Sequence, residues 1–517
     1  MKLQATRWVR PALGSLIGAA VGLSSPHSGA AADIEQSIEG RLRSANLNDT
    51  RVSVYIHDLD TGEALAQIDP DVRMIPASNM KLVTTAAALH HLGPDFRFRT
   101  ELRLIDDPEA LQALGVDRGP VLLVHGDGDP AFADPVILEQ HGMSVDDLLD
   151  LWVDAVADTG HRRFGLLVID DRVFDREFAH PDWPSDQLVY RWCAPVAGLN
   201  FYQNVLDVLP QPTRSGQAPV VELYPPEAAS FLLTSNRAST GRSESFWISR
   251  QGPYELTFHG TVKNRRSVPV QVSVSDPPMF FGKVFTARLE SRGVAVDAVV
   301  RPTSQGRLLD GRVLHRMQTT LPLVLERTNQ DSQNMFSEAL FKRMGRTVTG
   351  RPGSFENGQA AVRIAMQQLM GPRASVLHVA DGSGMSRNNQ VTARFLVDLL
   401  AAMHRHEDAE IAHAFRDSLA RGGVNGTLKR RFRRFTEGDV LAKSGYLSGV
   451  SALSGYVTLP GAGDPREGNG DAVRDVAFAM LFNGFEPPLT NASMKRMQEE
   501  FVGLIEQAYD DRARLGG

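Results

Sequence analysis

The sequence predicts an α/β protein whose main unit is an antiparallel sheet flanked by helices, assembled from both ends of the chain around a long insertion. Three observations predict it. Residues 51–68 read as strand, turn, strand, with a helix directly after them. From Lys443 onward the chain reads as three strands and a closing helix. Between these ends, residues 95–302 have a different texture, first α/β and then β-rich. At 517 residues the chain exceeds what one hydrophobic core supports, so several domains are expected.

The elements follow in order. Lys2, Arg7 and Arg10 precede an apolar run from Pro11 to Leu23, and small residues continue to Ala30-Ala31-Ala32. This layout predicts a secretory signal over residues 1–32, cut before Asp33, and hence an exported protein with the periplasm as the expected compartment. The run falls short of the roughly 20 apolar residues that a bilayer span needs. Nothing later is long and apolar enough either, so membrane association is expected to be peripheral at most.

Val52, Val54 and Ile56 alternate with polar neighbours, Asp60-Thr61-Gly62 marks a turn, and 64–68 resumes the alternation. A proline-containing loop then delivers Ser78 to the start of a helix that runs to about His91 and stops at Gly93-Pro94. Strand-like runs at 121–124 and 164–169 flank a helical stretch at 145–157. Beyond about Asp207 the runs 254–263 and 268–275 alternate between Gly, Asn and Ser. A helical region is expected from about Val313, with Leu321, Val324 and Leu325 leading into Asn334-Met335-Phe336. Lys443-Ser444-Gly445 is expected to open a strand, with further strands at 450–459 and 476–482. The final helix carries Met494, Met497, Phe501, Leu504, Ile505 and Ala508 on one face, a stripe suited to packing on those strands. The predicted units are 33–94 with 303–517, an inserted α/β domain at 95–206 with 276–302, and a nested β-rich domain at 207–275.

Composition excludes several function classes. Apolar residues at 42% and charged residues at 22% are those of a globular protein, which argues against disorder. The formal net charge of −6 becomes −9 once Lys2, Arg7 and Arg10 leave with the signal, so nucleic acid is not an expected partner. The one dense basic cluster, Lys429-Arg430-Arg431-Phe432-Arg433-Arg434, reads as a solvated face. Cys193 stands alone, so no intrachain disulfide can form, and it reads as a packed core residue. His404, His406 and His413 lie in a charged helical stretch and read as surface rather than as zinc ligands. Asp127 and Asp129, set among Gly and Pro, read as a structural turn.

Ser78-Asn79-Met80-Lys81 carries the chemistry. A serine is a poor nucleophile at neutral pH and needs a base within hydrogen-bond reach. Residues three apart share a helix face, so Lys81 places its amine beside the Ser78 hydroxyl. The helix N-terminus adds a positive dipole end that favours an oxyanion there. Lys81 must be neutral to act as a base, which burial and a second cation would promote. Two further pieces lie downstream in order, Ser332-Gln333-Asn334 and Lys443-Ser444-Gly445. Together the three form the signature of penicillin-recognising enzymes. In that arrangement the Ser332 hydroxyl relays a proton to the leaving group, and the Asn334 amide holds Lys81 and the substrate backbone. Lys443 lowers the pKa of Lys81, and Lys443 and Ser444 bind a terminal carboxylate. Gly445 leaves room for a peptide along the strand edge. The backbone N–H groups of Ser78 and Tyr446 form the oxyanion hole.

The resemblance extends beyond the trio. Pro76-Ala77-Ser78-Asn79-Met80-Lys81-Leu82, Gly126-Asp127-Gly128-Asp129-Pro130, Asp170-Asp171-Arg172-Val173-Phe174 and Gln333-Asn334-Met335 belong to it. So do Asp381-Gly382-Ser383-Gly384-Met385-Ser386-Arg387, Gly426-Thr427-Leu428 and Ala442-Lys443-Ser444-Gly445. With these residues the chain resembles the class C low-molecular-mass penicillin-binding proteins, the D-Ala-D-Ala carboxypeptidase/endopeptidase group of serine peptidase family S13. It departs from the family's habit in Ser444 for threonine, Gln333 for aspartate and Tyr446 for a small residue. The resemblance implies a penicillin-binding/β-lactamase-like fold with the large insertion between Ser78 and Ser332. It implies a serine D-Ala-D-Ala carboxypeptidase and DD-endopeptidase acting on peptidoglycan stem peptides through an acyl-enzyme on Ser78, inhibited by β-lactams. It makes the loop at Asp381 a border of the active site, and implies no metal or cofactor. A serine β-lactamase, a related esterase and a non-catalytic cell-wall binding protein are the alternatives.

Overall fold

Six strands form the sheet that positions the site. Their order is Ala420–Arg421, Asp439–Leu447, Val450–Pro460, Val473–Asn483, Arg51–Asp58 and Ala64–Ile68, with every neighbouring pair antiparallel. The computed structural model describes residues 28–515 apart from 118, 304–309, 434, 436, 437 and 461–472. Most of the expected signal, residues 1–27, therefore lies outside the described residues, and so does Arg434 of the basic cluster. A helix, Ser28–Ser44, already runs through the expected cleavage point before Asp33.

Alternation along each strand sends successive side chains to opposite faces. Val54, Ile56, Leu453, Val457, Phe478 and Met480 point to one face, where Ile34 and Ile38 of the first helix meet Met494, Phe501 and Ile505 of the last, Asn491–Leu515. Tyr55, Ala452, Tyr456, Ala477 and Ala479 point to the other, under helix Ala393–His404 and the helix Met80–Leu92. The central strand Val473–Asn483 is buried on both faces over most of its length. Each fully buried Leu, Ile or Phe adds roughly 1.5–3 kcal/mol, so this three-layer core fixes the strand register firmly.

The insertion carries its own sheet. Val299–Val300, Leu166–Asp170 and Val121–Gly126 run parallel, and Arg97–Ile105 and Arg312–Thr320 extend the sheet antiparallel. Helices Val145–Ala157 and Pro277–Ser291 cover it, and Trp152 packs edge-on against Phe281 and Phe285. Within the insertion, residues 205–273 hold short β-sheets: Val205–Gln211 between Val220–Tyr224 and Val270–Ser273, and Glu255–His259 between Leu233–Asn236 and Trp247–Gly252. The α/β class, the helix-flanked antiparallel sheet and the β-rich stretch inside the insertion are as the sequence predicts.

Three local readings are corrected. Residues 312–320 form a strand rather than a helix. Its half-exposed polar alternation hid it, and the helix starts only at Leu321, where Pro322 takes the first turn. The second sheet thus continues past residue 303. Lys443 does not open its strand, which begins four residues earlier at Asp439. Arg431 is not part of a solvated face. It is buried, donates to Glu499 Oε1 at 2.7 Å and Gln498 Oε1 at 3.1 Å, and ties the basic segment to the last helix. Lys429, Arg430 and Arg433 are exposed.

Among the described residues no helix is long and apolar enough to cross a membrane.

Candidate active site

Ser78 sits in a tight turn, Ala77–Asn79, that feeds directly into the helix Met80–Leu92. The turn is forced: Ala77 has φ +46°. That left-handed conformation is uncommon for a residue with a Cβ. It leaves Ser78 partly exposed at the mouth of the cleft while Lys81, one helical turn on, is completely buried. Lys81 Nζ lies 3.1 Å from Ser78 Oγ, 2.6 Å from Asn334 Oδ1 and 2.7 Å from the Ser383 carbonyl. Burial pushes the Lys81 amine down to about 7, against the pull of Glu338 and Asp381.

Ser332 occupies the turn between helices Leu321–Asn329 and Asn334–Thr349, at φ +59°. Lys443 reaches it from the sheet, donating to Ser332 Oγ at 2.9 Å and to the Ser444 carbonyl at 2.7 Å. Since Lys443 occupies a Ser332 lone pair, the Ser332 proton is left to point elsewhere. Ser444 Oγ donates to Thr427 Oγ1 at 2.9 Å. A Cβ on Gly445 would lie 3.0 Å from both Ser78 N and the Pro76 carbonyl, so any larger residue would crowd the strand against the nucleophile's N–H. Tyr446 follows at the lip, with just over half its surface exposed. The structure thus brings Ser78, Lys81, Ser332, Asn334, Lys443, Ser444 and Gly445 to one cleft, with Tyr446 on its rim.

Lys443 is itself held far below the usual lysine range, by burial first and then by repulsion from Lys81, and that repulsion acts equally on Lys81.

Several groups in the cleft were given no individual role by the sequence. With its amide oriented to satisfy both ends, Asn79 donates to the Lys443 carbonyl at 2.8 Å and accepts from Ser454 Oγ at 2.7 Å, locking the nucleophile's turn to the strand. Thr427 completes the hydroxyl pair beside Lys443. Glu338 lies one turn beyond Asn334, and that spacing from Asn334 is the signal that could have drawn attention to it. The insertion contributes too. Asn334 Nδ2 donates to the Trp192 carbonyl at 2.8 Å, Trp183 Nε1 to Asp381 Oδ2 at 2.9 Å, and Ser386 Oγ to Asp182 Oδ2 at 2.8 Å.

The remaining sequence candidates stay apart from this cleft's chemistry. Cys193 is fully buried and its thiol is pushed up to about 12, which makes it inert at neutral pH. Asp129 bonds Thr319 and the Ala131 N–H inside the insertion. His404 is half-buried beside Tyr456 and Asp475. Among the described residues no group of three or more His, Cys, Asp or Glu is placed to hold a metal ion.

Residues 34–507 match the D-Ala-D-Ala carboxypeptidase 3 (S13) family. The chain belongs to that family. A D-alanyl-D-alanine carboxypeptidase of Actinomadura sp. (strain R39) is 32% identical over 92% of this chain and 85% of its own length. A penicillin-sensitive carboxypeptidase A of Dictyostelium discoideum is 25% identical over 83% of this S13 chain and 81% of that protein. In fold, the chain matches penicillin-binding protein 4 of Haemophilus influenzae with a TM-score of 0.71 at 20% identity, covering 92% of this chain and 99% of that one.

Proposed function

We propose that this S13 protein is a serine D-Ala-D-Ala carboxypeptidase with DD-endopeptidase action on peptidoglycan stem peptides. The observation that carries the reading is the buried Lys81 amine 3.1 Å from Ser78 Oγ, with its pKa near 7. A buried amine at that value is half neutral at pH 7 and takes the hydroxyl proton.

In the first step Lys81 Nζ receives the Ser78 proton while Oγ bonds to the carbonyl carbon of the penultimate D-alanine. The developing oxyanion faces the Ser78 and Tyr446 N–H groups. The terminal carboxylate pairs with the Lys443 ammonium and with the Ser444 and Thr427 hydroxyls. The C–N bond then breaks as the leaving nitrogen accepts the Ser332 proton. Lys81 returns a proton to Ser332, and terminal D-alanine departs. In the second step Lys81 removes a proton from water, the hydroxide attacks the ester carbon, and Ser78 Oγ leaves with that proton. In endopeptidase action the leaving group is the amine of a cross-bridge. A β-lactam breaks its own ring C–N bond in the first step, and the tethered fragment stays in the way of water.

Asn334 fixes Lys81, and Gly445 admits the substrate backbone along the strand edge. The two sheets are proposed as a catalytic unit and an inserted unit, the latter reaching the cleft through Trp183 and Trp192. Export to the periplasm by a signal over residues 1–32 completes the proposal. Release of D-alanine from an acyl-D-Ala-D-Ala peptide tests it: the purified protein releases it and Ser78→Ala does not. Equal release by both would refute Ser78 as nucleophile.

A further inference from the structure

Lys81 has a carboxylate behind it that no part of the acyl-transfer scheme above uses. Glu338 is fully buried on helix Asn334–Thr349, four residues after Asn334 and on the same face. Its two oxygens accept from consecutive peptide N–H groups, Gly382 N at 3.0 Å and Ser383 N at 2.7 Å. The Ser383 carbonyl, part of the same short loop, accepts from Lys81 Nζ at 2.7 Å. The Gly382 carbonyl is held by Thr84 Oγ1 and Ser337 Oγ, each at 2.7 Å. Burial and the neighbouring Asp381 raise the pKa of this carboxyl, and the two N–H bonds only partly offset them, so Glu338 grips the loop by hydrogen bonding.

We propose that Glu338 is a positioning residue for the acylation base: by accepting the Gly382 and Ser383 N–H groups it aims the Ser383 carbonyl at Lys81 Nζ. The inference rests on the proposed role of Lys81.

The charged groups around this amine are few. Lys443 faces it from the strand, Glu338 from the helix, and Asp381 from the loop. Asp331 acts on Lys443, while Asp381 and Lys342 also act on Glu338. Burial alone favours the neutral amine, and an anion favours the ammonium. Glu338 also spans two links at once. The helix that offers Asn334 Oδ1 to Lys81 directly offers Glu338 to the loop that supplies Ser383 O, so a single rigid element sets two of the three contacts on the amine.

The test is the pH dependence of benzylpenicillin acylation, read as adduct mass on Ser78, for wild type, Glu338→Gln and Glu338→Asp. With the Ser383 carbonyl turned away, the ammonium form of Lys81 loses an acceptor, so the acid limb of Glu338→Gln moves to lower pH. Its plateau falls about tenfold, because an amide NH2 now confronts an N–H donor and the loop shifts. Glu338→Asp keeps two acceptor oxygens on a shorter arm, so it keeps the wild-type limb but loses plateau rate. A folded Glu338→Gln with an unmoved limb, or one moved upward, overturns the inference. If Gln prevents folding, Glu338→Asp decides it: a lowered plateau on the wild-type limb supports the inference, and an unchanged plateau overturns it. Failure of the wild type to form any Ser78 adduct would instead sink the serine mechanism itself.

Discussion

Lys443 Nζ donates to Ser332 Oγ at 2.9 Å, joining a sheet strand to a turn between two helices. That bond sets the sign of two behaviours. It orients the Ser332 proton toward the cleft, and it holds an amine whose charge depends on what enters.

Replacing Lys443 by methionine should therefore separate substrates. A charge-assisted hydrogen bond contributes about 1.5–3 kcal/mol, so kcat/KM for acyl-D-Ala-D-Ala should fall by about tenfold to a hundredfold. A thioester substrate lacking the terminal carboxylate should lose far less. Parallel kinetics on the two substrates check this, and equal losses would contradict the carboxylate role.

The pH profile follows from the two lysines. Lys81 is depressed to about 7 and works in its neutral form. Below pH 7 it is protonated, so kcat/KM should fall tenfold per unit of acid and level off above that value. Lys443 is lowered as well and works as a cation, so carboxylate binding should weaken as pH rises. A substrate with the carboxylate should give a bell, and one without it a single rise.

Lys81→Met keeps the packing volume but removes the base. Acylation by benzylpenicillin should drop about a thousandfold or more while the thermal unfolding midpoint stays near that of wild type or rises, since an unfavourably buried amine is gone. Retained acylation would place the base elsewhere.

Gly384 has φ +84°, and a Cβ there would lie 1.8 Å from the Ala77 carbonyl. Gly384→Ala should cost about 3 kcal/mol or more, because neither the backbone conformation nor the loop beneath Ser78 can give way. The drop should appear in urea titration together with slower acylation. Unchanged stability would mean that this loop is not rigid.

Much of this was legible in the sequence. Ser78 and Lys81 share a helix face by spacing alone, and the strands at 51–68 and 450–459 announce themselves by strict alternation. The final helix shows its buried stripe as a period. The strand Arg312–Thr320 was not legible, because one edge is half exposed and its apolar residues are too sparse to mark a face. Glu338 was missed, and Thr427 and the Ser383 carbonyl were given no role although their segments belong to the resemblance, for a different reason. Their roles depend on which loop lies behind Lys81 and which turn flanks Ser444, and such contacts between distant segments leave no periodic trace. Arg431 misled in the same way: a basic run reads as surface until a carboxylate on the last helix is seen to meet it.

The most direct measurement is peptide mapping by mass spectrometry of the protein after benzylpenicillin treatment. A stable adduct of the intact drug mass on the peptide holding Ser78, absent in Ser78→Ala, is the predicted result. An adduct on another residue, or rapid turnover of the drug with none retained, would contradict the account.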